Sequence, residues 1–63
     1  MEEVKVIFQQ LKKKDRKLSI KKTSDETGLN YQRLIKANGG YQGLEQWELE
    51  ILREYKKYKL GGI

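Results

Sequence analysis

Residues 18–37, with the sequence LSIKKTSDETGLNYQRLIKA, decide the fold of this 63-residue chain. Ser19 is a good helix N-cap, because its side-chain oxygen can accept a hydrogen bond from a free amide in the first helical turn. It predicts a helix over residues 20–27. Gly28 tolerates a positive φ and therefore predicts a turn, and Leu29 is expected to point inward and anchor that turn.

A second short helix is predicted directly after this turn. Asn30 is another good N-cap, and the two glycines that follow Asn38 end the helix, so the pattern predicts a helix over residues 31–38. Leu34 and Ala37 lie three positions apart and are expected to face the core. The stretch is thus predicted to form two short helices joined by a tight turn.

Apolar spacing predicts one further helix on each side of this pair. Residues 3–13 follow the i, i+3, i+4, i+7 rule of a helix with one buried face, and the residues at these positions are Val4, Ile7, Phe8 and Leu11. From residue 44 onward, apolar residues recur at spacings of three and four, namely Leu44, Trp47, Ile51, Tyr55 and Tyr58. We expect this second stripe to be core rather than a platform for stacking nucleobases. The remaining side is expected to be a solvated acidic face of Glu45, Glu48, Glu50 and Glu54.

The composition limits the classes of function. The chain has no Cys and no His, which removes disulfides, the common zinc sites, thiolate nucleophiles and the usual general base. We therefore expect a non-enzymatic protein without metal, cofactor or small-molecule substrate. The start of the chain is acidic and no apolar run exceeds residues 6–8, so we expect a cytoplasmic protein without a membrane segment. A chain of this length predicts a single domain. Four predicted helices joined by short loops, with no alternating strand pattern, make that domain all-α.

The positive charge is concentrated in one segment. The chain carries 14 Lys or Arg against 9 Asp or Glu, for a net charge of +5. Residues 12–22 hold seven of those basic residues against Asp15 alone. Such a run can be a solvated loop, but blocks of like charge repel each other and usually persist when an anion recruits them. The segment therefore favours a polyanionic partner. Duplex DNA is the main candidate for that partner, and structured RNA is a minor one.

Two short helices with a glycine turn are the sequence pattern of a helix-turn-helix. The helices of this motif cross steeply, so the turn needs a glycine where a side chain would clash and an apolar residue after it. The second helix protrudes and enters a major groove about 12 Å wide, with the residues of its first turns toward the base edges. The residues predicted to read bases are Asn30, Tyr31, Gln32 and Lys36.

At these residues the segment resembles the helix-turn-helix of the phage Cro and lambda-repressor superfamily. The resemblance covers roughly residues 8–52 and rests on Leu18-Ser19, on residues 25–30, and on residues 36–40 with Leu44. It implies sequence-specific binding of double-stranded DNA by a small phage-type or prokaryotic transcriptional regulator. It also implies that the start of the second helix grips phosphates. The residues assigned to phosphate contacts are Ser19, Lys21, Lys22 and Arg33.

A different class of function uses the same surface. A small helical protein-interaction module, an adaptor or an inhibitor, would use Ile35, Tyr31 and Tyr41 as an apolar contact. The two hypotheses differ at Arg33 and Lys36, because charge reversal there abolishes DNA binding but leaves an apolar contact intact. The sequence leaves open the target, the choice between activator and repressor, and pairing with a second copy.

Overall fold

The computed structural model describes residues 2–61, and over this range the chain forms four helices and no strand. The helices are α1 (Glu2–Lys14), α2 (Ile20–Thr27), α3 (Tyr31–Asn38) and α4 (Gln46–Gly61). The all-α prediction is confirmed, and α2 and α3 have the bounds that the sequence predicts. Between residues 2 and 61, no helix combines the length and the apolarity needed to cross a membrane.

The core lies where the four helices meet. Helix α1 packs against α3 and α4, and α2 packs against the same two helices. All four apolar residues of the predicted α1 stripe are buried, and so are the inward residues predicted for α3. The buried apolar residues are Val4, Ile7, Phe8, Leu11, Leu18, Leu29, Leu34, Ala37, Leu44, Leu49, Leu52 and Tyr55.

The buried face of α4 differs from the prediction. It carries Glu48, Leu49, Leu52 and Tyr55. Three residues predicted to be core are instead exposed: Trp47 at 58%, Ile51 at 37% and Tyr58 at 75%. The sequence of α4 contains two stripes at helical spacing. The bundle buries the stripe that includes Glu48 and Tyr55, whose polar groups bond to residues on other helices.

Glu48 belongs to this buried stripe, and its prediction as a solvated residue is wrong, because its side chain is 2% exposed. Its carboxylate accepts hydrogen bonds from Nε and Nη2 of Arg33 at 2.8 Å and 2.6 Å. It also accepts the backbone N–H of Glu45 at 2.8 Å, which caps the start of α4. The bonds from Arg33 hold the pKa of Glu48 below its ordinary value. This pair joins α3 to α4.

Tyr55 makes a second polar contact, which joins α4 to α2. Its hydroxyl donates a hydrogen bond to Oε1 of Glu26 at 2.6 Å, and Nζ of Lys59 lies 3.3 Å from the same oxygen. Burial, followed by the bond to Glu26, raises the pKa of Tyr55 to about 12. Because the hydrogen bond from Tyr55 stabilises the ionised carboxylate of Glu26, the pKa of Glu26 is lowered.

The turn between α2 and α3 has the predicted conformation. Gly28 has φ +78°, and its N–H donates to the carbonyl of Ser24 at 2.9 Å. Leu29 is buried as predicted, and both of its backbone groups are bonded by side chains of α2. Its carbonyl accepts from the Ser24 hydroxyl at 2.7 Å, and its N–H donates to Oγ1 of Thr27 at 3.2 Å. The turn is thus held by the helix before it.

Candidate nucleic-acid interface

Helix α3 has one buried side and one exposed side. Leu34 and Ala37 are fully buried and mark the side of this two-turn helix that faces the core. At 100° per residue, positions 31, 32, 35 and 36 fall within about 140° of the helix circumference. This exposed face carries Tyr31, Gln32, Ile35 and Lys36. We call these four residues the outward face of α3. Three of the four predicted base-reading residues therefore share one accessible surface.

Asn30, the fourth predicted base reader, is exposed but is also the N-cap of α3. Its Oδ1 accepts the backbone N–H of Arg33 at 3.1 Å. A paired contact with adenine uses both the oxygen and the nitrogen of an amide side chain. Base reading by Asn30 would therefore compete with capping, whereas Gln32 has no capping role.

Arg33 is turned toward α4 rather than toward the outward face. Its guanidinium is held by the buried Glu48, which raises the pKa of Arg33, although 39% of the side chain is exposed. A phosphate would have to compete with a carboxylate that already makes two hydrogen bonds to this group. The assignment of Arg33 to a phosphate contact remains a prediction.

An open cleft of about 410 Å³ adjoins the outward face, between α1, the start of α2 and α3. Tyr31 belongs both to the cleft wall and to the outward face. Three lysines line the cleft, namely Lys5, Lys12 and Lys21. We call this the lysine cleft. It brings cations from two helices next to the exposed side of a third.

Two of the residues assigned to phosphate contacts lie at this cleft. Ser19 caps α2, accepting the backbone N–H of Lys22 at 3.1 Å, and its hydroxyl retains a donor that capping does not use. Nζ of Lys21 is 5.5 Å from the centroid of the Tyr31 ring and 3.5 Å from Oδ1 of Asp25. The lysine therefore links α2 to the outward face of α3 through a cation–π contact.

The sequence pattern did not single out Lys5 as a candidate binding residue, and it included Lys12 only in the basic segment. The two lysines are seven positions apart on α1, which places them on one side of a helix with 3.6 residues per turn. That spacing was a usable signal. Its importance depends, however, on α1 packing beside the start of α2, which the pattern of charges does not reveal.

The fold is that of a small all-α protein with an exposed short helix beside a basic cleft. Comparisons of the chain with protein-family models, with curated proteins and with solved structures found no match. The similarity to the Cro and lambda-repressor superfamily therefore remains a hypothesis, and so do the roles of the eight residues assigned to DNA contacts.

Proposed function

We propose that this chain is a small helix-turn-helix protein that binds double-stranded DNA in a sequence-specific manner through α3. The main support is the position of the outward face of α3 directly beside the lysine cleft. An exposed helix fits the major groove, and cations at its side can contact the phosphates that flank a groove. A cytoplasmic transcriptional regulator of the prokaryotic or phage type matches this arrangement.

Base recognition is assigned to the outward face. Gln32 makes a paired hydrogen bond with adenine, and Tyr31 contacts a phosphate or the methyl group of a thymine. Lys36 donates to the acceptors of guanine in the groove. Asn30 contributes through the nitrogen of its side-chain amide, because the oxygen of that amide caps α3. Each paired contact is worth about 1 to 3 kcal/mol of discrimination against another base.

Phosphate binding is assigned to Ser19, Lys21 and Lys22, with Lys5 and Lys12 as additions from the lysine cleft. Each neutralised phosphate releases condensed counterions, so binding weakens as salt rises. About four to six contacts predict a slope of −4 to −5 for the logarithm of the binding constant against the logarithm of salt concentration. A slope near zero contradicts the proposal.

The decisive experiment selects bound duplexes from a random pool at two salt concentrations, followed by titration of the recovered sequence. We expect a shared motif. Gln32→Ala should relax the preference at one base pair, whereas Lys21→Ala should weaken binding to every duplex and lower the salt slope by about 1. Gln10→Ala is the matched control, because Gln10 is an exposed glutamine on α1. Gln10→Ala should bind every duplex like the wild type. Equal losses on every sequence for Gln32→Ala and Lys21→Ala would exclude direct base reading.

A second candidate function is protein interaction through the same surface. It is favoured by Ile35, which is 38% exposed beside Tyr31 at 37%, and by Tyr41 at 85%. An aliphatic residue in the middle of the outward face suits an apolar partner as well as a thymine methyl group. This function requires that the random pool yield no motif.

The test that separates the two functions is charge reversal at Lys36 alone. The sequence suggested Arg33 as well, but Arg33→Glu would place a second anion against the buried Glu48 and would report on folding instead. Lys36 is exposed, so Lys36→Glu should leave the fold unchanged. It should abolish binding to DNA and spare an apolar protein contact.

A further inference from the structure

Helix α4 carries an apolar stripe that the described bundle leaves exposed. The stripe consists of Trp47, Ile51 and Tyr58, with exposed fractions of 58%, 37% and 75%. At 100° per residue, these positions and Glu54 fall within about 60° of the helix circumference. We call the three apolar residues, together with Glu54 between them, the outer stripe. The opposite side of α4 already packs in the core, so α4 presents apolar surface on two sides.

We propose that the outer stripe pairs with the outer stripe of a second copy of this chain. The two α4 helices would run antiparallel across a twofold axis that passes between Ile51 and Glu54. In this arrangement Trp47 of one copy lies against Tyr58 of the other, and the two Ile51 side chains meet near the axis. Such a contact is isologous, so every interaction occurs twice.

Charge on the rim of the stripe supports this register. Glu50 and Lys57 lie seven positions apart along one edge of the outer stripe. Around the helix axis they are rotated from Trp47 by about 60° and 80° in the same direction. Antiparallel pairing through the aromatic residues brings Glu50 of one copy within about two helical positions of Lys57 of the other, and the reverse contact forms at the same time. Opposite charges beside an apolar seam are the arrangement that fixes partner and orientation in paired helices.

The local charge also favours a second copy over a strand of nucleic acid. Residues 44–61 carry four acidic and four basic residues, whereas the excess positive charge of the chain lies in residues 12–22. Two copies can therefore approach through α4 without opposing their basic segments. Glu50 beside the outer stripe and Glu54 within it would repel a phosphate backbone, which a base-stacking surface must attract.

The area of the stripe predicts a weak, reversible dimer. Aromatic side chains bury about 150 to 250 Å² each, so the exposed parts of Trp47 and Tyr58 supply roughly 250 Å² per copy. A standard stable interface covers about 800 Å² on each partner. The dimer is therefore expected to form in the high micromolar range, and this expectation holds whether or not the chain binds DNA.

The test measures self-association without DNA, by sedimentation velocity over a series of protein concentrations. We expect the wild type to shift from monomer to dimer, with a parallel blue shift in the emission of Trp47, the one tryptophan of the chain. Glu50→Lys and Lys57→Glu should each weaken the dimer by about tenfold, and the double variant should restore it. Glu54→Gln should strengthen it, because the twofold axis brings the two Glu54 side chains together.

Matched controls separate the stripe from general surface effects. Tyr58→Ser should weaken the dimer, whereas Tyr41→Ser should not, because Tyr41 is an exposed tyrosine in the loop before α4. Lys13→Glu, on α1, changes the net charge as Lys57→Glu does and should have no comparable effect. Circular dichroism checks that each variant is folded.

Two results would overturn the proposal. One is a wild-type chain that remains monomeric up to its solubility limit, which would assign the stripe to a different partner. The other is a double charge-swap variant that fails to regain the association lost in the single variants. Neither result bears on DNA binding, which is measured separately by titration with duplex.

Discussion

The α1–α4 pair and the α2–α3 unit (residues 20–38) differ in how much of their packing is apolar and how much is polar. Helix α1 supplies four buried apolar residues to the core, whereas α2 has a single buried residue, Thr23. Helix α3 adds only Leu34 and Ala37. The turn between these helices adds the buried Leu29, and two polar contacts join the α2–α3 unit to α4, from Arg33 to Glu48 and from Tyr55 to Glu26.

This difference matters for the proposed interface. Apolar burial is non-directional, so a small apolar contact fixes the depth of a helix better than its rotation. Hydrogen bonds between charged groups have defined geometry. The bidentate bond to Arg33 therefore helps to set which residues of α3 form its outward face. The following predictions test that division of roles, beginning with the largest effect.

The Arg33–Glu48 pair should be the most sensitive polar contact in the chain. Glu48→Ala removes the buried member, leaves Arg33 without its partner and uncaps α4, and we expect a loss of about 3 kcal/mol in the free energy of unfolding. A domain of this size has only a few kcal/mol of stability. The variant should therefore be largely unfolded at room temperature, as measured by urea denaturation followed by circular dichroism.

The same pair should respond to acid. The folded-state pKa of Glu48 is lowered from 4.5, so its contribution is complete above that value and is lost as the pH falls through the lowered folded-state pKa. In Glu48→Gln this component of acid destabilisation should disappear. An unchanged acid profile in Glu48→Gln would show that the pair does not anchor α3.

The contact between Tyr55 and Glu26 should respond to alkali. The pKa of Tyr55 is raised from 10.0 to about 12, so its contribution is complete below pH 10. The contribution is lost as the pH rises to about 12, because the unfolded chain ionises first. Two pKa units correspond to about 2 to 3 kcal/mol. Tyr55→Phe should lack this loss, and it should also lack a late step in the phenolate absorbance near pH 12.

Tyr41→Phe provides the control for that measurement, because Tyr41 is 85% exposed. It should keep the alkaline loss of stability that the wild type shows. The same loss in Tyr55→Phe would mean that titrating lysines cause the effect, and that α2 does not depend on its bond to α4.

The sequence revealed the local parts of the fold because their signals act over a few residues. Ser19 and Asn30 cap helices through amides three positions ahead, and Gly28 bonds to a carbonyl four positions behind. Each interaction can be inferred from a window of five residues. The bounds of α2 and α3 were predictable for this reason, as was the exposure of Gln32 and Lys36 opposite the inward residues of α3.

The buried face of α4 could not be predicted in the same way. Its choice depends on Arg33, fifteen positions before Glu48, and on Glu26, twenty-nine positions before Tyr55. Hydropathy alone predicts that the stripe with Trp47 is buried, because the other stripe contains the charged Glu48. The burial of Glu48 is understandable only once its partner Arg33 is known. Lys5 was missed for a related reason, since its place in the lysine cleft depends on how α1 packs.

The turn of the α2–α3 unit offers a smaller, purely local test. Gly28 has φ +78° with open space where a Cβ would lie, so Gly28→Ala adds backbone strain without a clash and should cost about 1 to 2 kcal/mol. Gly28→Asn should cost less, because asparagine visits this conformation more readily. Gly61→Ala, in open space at the end of α4, is the control and should be near neutral. If Gly28→Ala is also near neutral, the turn does not restrict the angle between α2 and α3.

The smallest effect is expected from the polar contact between α1 and α4. Arg53 donates to Glu3 through Nη2 at 2.8 Å and also through Nε, with the same bidentate chemistry as Arg33 and Glu48. The side chain of Glu3 is, however, 40% exposed, against 2% for that of Glu48. Water competes for an exposed pair, so Glu3→Gln should change the free energy of unfolding by less than about 0.5 kcal/mol. High salt should remove even this difference, because exposed pairs are screened. A loss as large as that of Glu48→Ala would show that α1 also depends on a directed polar contact, and the contrast between the two halves of the fold would no longer hold.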